Sequence, residues 1–355
     1  MKLGPSQIAG VVLILLAMGL IFFKKSRPEE ARAIDGQRFS SMTKYGQGSD
    51  SSQISATKLS KRIIKRRNRE ILSDYLITNP NEIDSLTVDQ AAELVLTFAD
   101  EGILELSGLT LIDKNVAREL AKWKGDWLNL TGLTSIDLGV AEELAKYGGN
   151  LNLAGVTSID RDASRELARY EGGRLKLSGL VSINKQVAYE LAQWKGQSLY
   201  LEGVTSVDKD VAYGLAQFQG SLVLGLSSID TNVAEELVKK EGSQLHLWGL
   251  ASIEKDVAQI LSRFRGTWLS LKGVELIDRD VARELSNSNI SLDLTGLTFI
   301  DSGVAKELVR YSGPKISLGN SLLVSDEEVF EILRSNSAIK FPTQKQTAFF
   351  TPSAE

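Results

Sequence analysis

The chain of 355 residues is 43% hydrophobic and 24% charged, and its formal net charge is −4. This is the composition of a folded protein with ample material for a core, and its mild acidity gives no reason to expect nucleic acid as a partner of the whole chain. The sequence contains no cysteine, which excludes disulfides, thiolate chemistry and cysteine-ligated metals.

The amino-terminal segment, residues 1–28, is predicted to be a single transmembrane helix. The stretch from Leu3 to Phe23 carries no charge, and in a helix it is just long enough to cross a hydrocarbon core of about 30 Å. A cleaved signal peptide is the alternative. Against it, Lys24, Lys25 and Arg27 follow the apolar run directly, where a small-residue cleavage site would stand.

The charges around this apolar run also bear on its orientation. Basic residues are concentrated after the run, which favours a cytoplasmic location for the rest of the chain. A periplasmic or extracellular location is the alternative, because Lys2 before an apolar run and the absence of cysteine both fit export. The sequence therefore predicts a single-pass membrane protein with a cytoplasmic body.

Two further segments precede the main body of the chain. Residues 29–57 are rich in Ser, Gly and Gln and are predicted to be a flexible linker. Residues 58–84 begin with a basic cluster that contains no acid. This cluster could be a solvated helix, a site for anionic lipid headgroups at about 1 kcal/mol per basic residue, or a nucleic-acid site; the last is disfavoured because no aromatics are interleaved. The candidate lipid-binding residues are Lys58, Lys61, Arg62, Lys65, Arg66, Arg67 and Arg69.

From residue 85 onward, one sequence unit recurs with a period of 22 to 24 residues. It reads L-x-L-x-G-[LV]-x-S-[IV]-D and is followed by an apolar-periodic run. A fixed period of this size indicates a solenoid, in which each unit buries its apolar side only against its neighbours. The central glycines are Gly108, Gly132, Gly155, Gly179, Gly203, Gly225, Gly249, Gly273 and Gly296, with a degraded copy at Gly319.

Each repeat is predicted to contain one strand and one helix. Leu128 and Leu130 alternate with polar residues, as in a strand with one buried face. Gly132 follows at a point where a side chain would obstruct the turn or the neighbouring coil. Asp137 then precedes apolar residues at helical spacing, and Gly148 is expected to end the helix.

The acid that precedes each helix raises the question of a metal. A row of carboxylates suits calcium, but an aspartate at a helix start more commonly accepts bonds from free N–H groups, at about 1 kcal/mol per cap. We therefore predict helix caps and no metal site. The residues equivalent to Asp137 are Asp113, Asp160, Asn184, Asp208, Asp230, Glu254, Asp278 and Asp301.

The spacing of the elements predicts the shape of the stack. Parallel strands lie about 4.8 Å apart whereas packed helices need about 8–10 Å, so the stack must curve with its strands inside. The prediction is a right-handed horseshoe over residues 85–335, with about ten parallel strands on the concave side. Leu86–Phe98 and Ser325–Leu333 are predicted to be capping helices, and residues 336–355 a polar tail.

The repeat resembles the leucine-rich repeat family, and the resemblance covers about residues 86–333. It is carried by the L-x-L strands, from Leu104 and Leu106 to Leu292 and Leu294, and by the downstream isoleucine. The stretch from Val156 to Ile159 is also similar to the bacterial surface-protein branch of that family. The resemblance implies an α/β solenoid. One departure is that the family's laddering asparagine is replaced by Leu109, Leu133, Val156 and Leu180.

No motif in the sequence indicates an enzyme or a cofactor. His246 is the single histidine, so it has no second histidine to act as a base or a metal ligand. No nucleophile elbow, phosphate-binding loop or dinucleotide fingerprint occurs. Ser182 and Lys185 fit S-x-x-K, but they occupy an ordinary repeat turn. The sequence thus predicts a non-catalytic protein without a cofactor.

The concave face is where the repeats differ from one another, so it is the predicted binding surface. Aromatic residues on a solvated sheet are unusual, and Trp and Tyr are the residues that anchor protein interfaces. Tyr200, His246, Trp248 and Trp268 are predicted to form one patch about 15 Å long, from three strand spacings; the alternative is that each ring only covers its neighbours. The full set of candidate partner-binding residues is Trp127, Arg174, Lys176, Tyr200, His246, Trp248 and Trp268.

The predicted function is a membrane-anchored, non-catalytic protein–protein interaction module. A carbohydrate- or envelope-binding protein is one alternative, because Trp and Tyr with Asn and Asp also suit sugars. An architectural spacer that assembles at the membrane is another.

Overall fold

The computed structural model describes residues 83–97 and 102–341. The predicted transmembrane segment, the linker, the basic cluster and the end of the predicted tail lie outside the described residues. In the part of the chain that the structure describes, no helix is both long enough and apolar enough to span a membrane.

The described residues form a regular alternation of short strands and short helices. The helices are α1 (Val88–Thr97), α2 (Lys114–Leu120), α3 (Leu138–Leu144), α4 (Arg161–Leu167), α5 (Lys185–Ala192), α6 (Lys209–Ala216), α7 (Thr231–Leu237), α8 (Lys255–Leu261), α9 (Arg279–Ser286), α10 (Ser302–Leu308) and α11 (Glu327–Arg334). The strands are β1 (Ile103–Glu105), β2 (Trp127–Asn129), β3 (Asn150–Asn152), β4 (Arg174–Lys176), β5 (Ser198–Leu201), β6 (Ser221–Leu224), β7 (Gln244–Leu247), β8 (Trp268–Ser270), β9 (Ser291–Leu294), β10 (Phe299–Ile300), β11 (Ile316–Leu318), β12 (Leu323–Val324) and β13 (Ile339–Lys340).

One parallel sheet runs through the whole stack. Its eleven strands follow chain order, β1 to β9 and then β11 and β13, while β10 and β12 pair in a separate two-stranded sheet. Each strand therefore bonds to the strand one coil away, and each helix packs on the helix of the next coil. The architecture is a leucine-rich-repeat-like α/β solenoid, as the period and the residue pattern predict.

The sheet continues past the predicted end of the solenoid at residue 335. Strand β13 follows helix α11 and pairs with β11, and Ile339 is only 5% exposed. The strand was not expected because it has two residues and lacks the L-x-L pattern. Residues 336–341 therefore belong to the last coil, where the sequence predicts the start of a polar tail.

The core lies between the sheet and the helices along the full length of the stack. In one coil, Leu128 and Leu130 point inward from the strand, and Val140, Ala141 and Leu144 pack against them from helix α3. The two leucines, Ala141 and Leu144 are each 0% exposed. Full burial of such a side chain contributes about 1.5–3 kcal/mol.

The repeated glycine is explained by the coil before it and not by an unusual backbone angle. A Cβ on Gly155 would lie 1.9 Å from the carbonyl oxygen of Thr131, and one on Gly203 would lie 2.2 Å from that of Ser178. Neither glycine has a positive φ. Any side chain here would push successive coils apart.

The positions at which the leucine-rich repeat pattern has asparagine are filled here by buried aliphatic residues. Leu109, Leu133, Val156 and Leu180 are each 0% exposed. Their backbone N–H groups donate to the carbonyl oxygen three residues earlier, at 3.2 Å for Leu133 and 3.0 Å for Val156. The turn is thus closed by the backbone, so no side-chain amide is needed there.

The predicted helix caps are present. Asp137 Oδ1 accepts a bond from the backbone N–H of Val140 at 2.8 Å, and Asn184 does the same for Val187 at 3.0 Å. Glu254 is the exception and makes no side-chain cap bond. In the described residues, no group of three or more acids or histidines is placed to hold a metal ion. The cap bonds account for the row of aspartates.

The prediction that Gly148 ends its helix is wrong. Helix α3 ends at Leu144, its C-cap is Ala145 in the right-handed region, and Gly148 has no positive φ. The next residue shows what the segment requires, because a Cβ on Gly149 would lie 2.2 Å from the hydroxyl of Tyr147. Gly149 thus makes room for a buried ring, whereas a Cβ on Gly148 would meet nothing within 4 Å.

That ring belongs to a column of side chains, which we call the aromatic column, running beneath the helix ends. Trp194 stacks between Tyr170 and Phe218 at ring-centre distances of 5.5 and 5.6 Å, and its Nε1–H donates to the Tyr170 carbonyl at 2.8 Å. These rings are buried and contribute to the packing of the coils. Lys240 and Ser288 interrupt the column. Its members are Trp123, Tyr147, Tyr170, Trp194, Phe218, Lys240, Phe264, Ser288 and Tyr311.

Candidate binding surface on the strand face

The outward side chains of the eleven-stranded sheet form a continuous surface, which we call the strand face. Strand register places one residue from each strand side by side along its middle row. Inward leucines flank this row, so the row is anchored on a fully buried layer. Its members in spatial order are Glu105, Asn129, Asn152, Lys176, Tyr200, Val223, His246, Ser270, Asp293, Ser317 and Lys340.

All of the predicted partner-binding residues lie on this face, and Arg174 is exposed there. The other predicted residues are partly covered by neighbouring side chains. The half-buried members are Trp127, Lys176, Tyr200, His246, Trp248 and Trp268.

The first cluster on the strand face is built around a lysine. The ammonium of Lys176 lies 5.0 Å from the ring centre of Trp127 and 5.5 Å from that of Tyr200. Both distances are within the range of cation–π attraction. The lysine on β4 thus links an aromatic residue on β2 to another on β5.

The second cluster is built around Trp248. His246 meets the Trp248 ring edge-on, with ring centres 5.4 Å apart, and the Lys272 ammonium lies 3.2 Å from the centre of the same ring. The indole Nε1–H donates to Ser270 Oγ at 3.2 Å, and Ser270 Oγ donates to Asp293 Oδ2 at 2.7 Å. Both the ring face and the N–H of Trp248 are therefore used within the protein.

His246 is neutral at physiological pH in this environment. Burial lowers the pKa of the imidazole below 6.5, and the opposing effect of Asp293 is smaller. Its Nε2 is 3.0 Å from Gln244 Oε1, while Nδ1 is buried without a partner among the described residues. With Nε2–H donating to Gln244, Nδ1 carries a lone pair and cannot donate. The imidazole thus adds no charge to the strand face.

The four residues predicted to form one patch are divided between different contacts. Tyr200 contacts Lys176, and buried Val223 separates it in register from His246. His246 and Trp248 do touch each other. Trp268 instead has the Lys315 ammonium 5.6 Å from its ring centre.

Lys272 and Lys315 are not among the predicted partner-binding residues. The signal that would have found them is the distance along the chain between each lysine and its ring. Lys272 follows Trp248 by one repeat and Lys315 follows Trp268 by two, which places lysine and ring on nearby coils.

The opposite surface, formed by the helices and called the helix face, is organised by ion pairs. Glu143 is 2% exposed and accepts from Arg118 at 2.9 Å and from Lys146 at 2.7 Å. These bonds lower the pKa of its carboxyl to about 2, against the opposing effect of burial. Glu307 repeats the arrangement with Arg279 at 2.8 Å. Several charges on the helix face are thus paired within the protein.

The helix face also carries a shallow depression of about 300 Å³ between α5 and α6. Its lining includes the rings of Tyr189 and Tyr213 beside Gly214, and the nearby Glu190 is bound to Arg161 at 2.8 Å. An acid already held by an arginine is a structural ion pair, and the lining includes no histidine, serine or cysteine that it could activate.

Comparisons with known proteins give little beyond the architecture. No protein-family model matches the chain, and no curated protein matches it. An internalin (inlF) crystal structure from Listeria monocytogenes is similar at a TM-score of 0.37 and 16% identity, covering 68% of this chain and 76% of that one. A chain of the yeast Rad7 and Elc1 complex is similar at a TM-score of 0.33 and 13% identity, covering 84% of this chain and 99% of that one. At these scores the two structures carry no argument about function.

Proposed function

We propose that this chain is a non-catalytic protein-binding module whose strand face receives the partner. The proposal rests chiefly on the two strand-face clusters, in which Lys176 and Lys272 lie against aromatic rings from other strands. A solenoid of this kind offers one extended surface instead of a pocket. Half-buried Trp and Tyr are also the residues that concentrate binding energy in protein interfaces.

A carbohydrate ligand fits the same face less well. Sugars stack on open aromatic faces, whereas Lys272 lies over the ring of Trp248 and Lys176 lies beside both Trp127 and Tyr200. Stacking a sugar on these rings would first require the lysines to leave. This favours a protein partner over a glycan.

Attachment to a membrane is a further part of the proposal, and it rests on the sequence alone. The uncharged stretch from Leu3 to Phe23 with its basic flank supports an anchor with the body in the cytoplasm. The full-length chain should stay with membranes after alkaline extraction and resist protease added to intact cells. Release by alkali would contradict the anchor, and digestion in intact cells would reverse the side.

The binding proposal can be tested by photo-cross-linking in cells. A photoreactive amino acid at Ser198 or Ser291 would probe the strand face, and one at Glu235 or Gln259, which are exposed on α7 and α8, would probe the helix face. We expect protein adducts from the strand-face positions and few from the helix-face controls.

The other outcomes distinguish the alternatives. Adducts to a second copy of this chain from the helix face would favour an architectural spacer. Adducts of glycan composition from the strand face would favour carbohydrate binding. Equal labelling from both faces would mean that the strand face is not a specific binding surface.

A further inference from the structure

The charge of the strand face differs from that of the chain. The net charge of the chain is −4, yet cations outnumber acids on this face. The acids are Glu105, Glu202 and Asp293, and the cations are Arg174, Lys176, Lys272, Lys315 and Lys340. A locally positive surface on an acidic protein is not a consequence of composition, so it calls for a local explanation.

The acids on this face are occupied by neutral donors within the protein. Glu105 accepts from Asn129 Nδ2 at 2.7 Å, and Glu202 accepts from Ser178 Oγ at 2.5 Å. Asp293 accepts from Ser270 Oγ at 2.7 Å and from Thr295 Oγ1 at 2.7 Å. None of these bonds neutralises a lysine or arginine of the same face.

The cations of the strand face accordingly have no carboxylate partner among the described residues. On the helix face, by contrast, several cations are paired, as Arg118 and Lys146 are with Glu143. Lys176, Lys272 and Lys315 lie against aromatic rings. An aromatic ring attracts an ammonium through its quadrupole but leaves the unit charge in place. These lysines are therefore positioned and still charged.

Positioning a long side chain before binding lowers the entropy lost on binding. The rings thus act as supports that hold the ammonium groups at the surface. Since the Lys272 ammonium lies 3.2 Å from the Trp248 ring centre and covers its face, an incoming partner meets the lysine before the ring. A surface of positioned ammonium groups favours the binding of an anion.

From this arrangement we propose that the strand face binds an acidic, extended segment of a protein through Lys176, Lys272 and Lys315. The inference rests on the proposed protein-binding function and adds the chemical class of the partner. Acidic side chains of the segment pair with the three ammonium groups.

The strand order sets the length of the segment. Lys176 is on β4 and Lys272 follows β8, which is four strand spacings or about 19 Å across the sheet. Lys315, just before β11, is two spacings or about 10 Å further. An extended chain advances about 3.4 Å per residue, so at least about nine residues are needed for the distance across the sheet alone.

A polyphosphate such as nucleic acid suits this face less well than an acidic peptide. Nucleic-acid affinity comes largely from many phosphate contacts, and sites for it are normally strongly basic. Here three lysines are spread over about 29 Å of an acidic protein. Carboxylates spaced along a peptide match that sparse charge better than a continuous phosphate backbone does.

The experiment measures binding of a fluorescent peptide of about twelve residues with glutamate at every second position, by anisotropy, with the full-length chain in a mild non-ionic detergent. The test variant is Lys176→Gln, Lys272→Gln and Lys315→Gln together. The matched control changes three exposed lysines outside the strand face, Lys124, Lys195 and Lys306, to Gln.

We expect the test variant to bind about tenfold more weakly, from three exposed ion pairs, and the control to bind as the native chain does. The corresponding triple change to Arg should bind within about threefold of native, since arginine keeps both the charge and the affinity for aromatic faces. Native binding should weaken as NaCl rises from about 50 to about 300 mM.

Equal binding by the test variant, or an equal loss in the control, would overturn the inference. So would a glutamine peptide of the same length that bound as tightly as the glutamate peptide. A single-stranded oligonucleotide or a sulfated glycan that bound more tightly and lost affinity in the test variant would reassign the face to another polyanion. Strand-face protein adducts in the cross-linking experiment together with no glutamate preference would leave the protein-binding function standing and remove only the acidic partner.

Discussion

The strand face and the helix face carry the same residue types but use them differently. On the helix face, Arg118 and Lys146 bind Glu143, so charge is neutralised between adjacent coils and within a helix. On the strand face, Lys176 and Lys272 lie on aromatic rings and keep their charge. The helix face therefore uses several of its charges in ion pairs within the fold, whereas the lysines of the strand-face clusters remain available to a partner.

The comparison teaches that exposure alone does not identify a binding surface in a repeat protein. Both faces are solvated and both carry lysines on every few coils. What differs is whether a charged group already has its counter-charge within the fold. Substitutions on the helix face should accordingly affect stability, and those on the strand face should affect binding.

The largest loss of stability is expected from a change at Leu177, which lies in the core between the two faces. Leu177→Ala removes a side chain that is 0% exposed, and we expect a loss of about 2–5 kcal/mol through the cavity it leaves. Leu111, which is 71% exposed, is the matched control, and Leu111→Ala should cost less than about 0.5 kcal/mol. Urea unfolding followed by circular dichroism measures both. Equal costs would mean that the inward row is misassigned.

The second effect tests a buried charge that belongs to neither face. Lys240 is 0% exposed in the aromatic column, where its ammonium lies 5.8 Å from the Phe218 ring centre and donates to the Glu241 carbonyl at 3.2 Å. Burial lowers its pKa from 10.5 to about 8. Lys240→Met should therefore stabilise the chain by about 1–3 kcal/mol at pH 7.

The stabilisation expected from Lys240→Met depends on pH. The charged form is disfavoured in the folded state, so the native chain is penalised fully below pH 8, and its stability recovers as pH rises from about 8 towards 10.5. The advantage of the methionine variant should shrink over that interval in thermal melts. Lys195→Met, at an exposed lysine, should not stabilise the chain at pH 7. A methionine variant that is less stable at pH 7 would mean that the fold accommodates the ammonium without penalty.

The smallest effect compares the two faces directly. Glu143→Gln should cost about 1–2 kcal/mol at pH 7, because it replaces a carboxylate held by two cations. The matched change on the strand face is Lys272→Gln. It removes a charge there and should change the stability by less than about 0.5 kcal/mol.

The two variants should also differ in how their stability changes as pH falls. The pKa of Glu143 is lowered to about 2 from 4.5, so its contribution is complete above pH 4.5 and is lost as pH falls towards 2. The difference between native and Glu143→Gln melting temperatures should narrow over that interval, whereas Lys272→Gln should follow the native curve. Parallel curves for Glu143→Gln would show that the ion pairs of the helix face are dispensable.

Much of the fold was predictable because its determinants lie within one repeat. The alternation at Leu128 and Leu130 indicates the strand, and Asp137 indicates the start of the helix that it caps. The last strand, Ile339–Lys340, was missed because its pairing depends on an edge that β11 leaves open and not on any pattern of its own. Gly148 was misjudged because the helix already ends at Leu144, and it is Gly149, not Gly148, whose Cβ would meet the Tyr147 ring.

The candidate surface was predictable only in outline. The period assigns Trp248 and Trp268 to the outward side of the strands, and the structure agrees. It does not reveal that the Trp248 ring is covered by Lys272 or that its N–H is bound to Ser270. Those contacts join adjacent coils, so they depend on register between residues about one repeat apart.

The sequence by itself determined the period, the inward and outward rows and the helix caps, because each depends on residues a few positions apart and on the two-residue alternation of a strand. The tertiary structure alone decided which charges are neutralised. Glu143 meets Arg118 and Lys272 meets Trp248 only after coils stack about 4.8 Å apart on the strand side. Stacking also encloses Lys240, since burial is a property of neighbours that a single repeat does not contain.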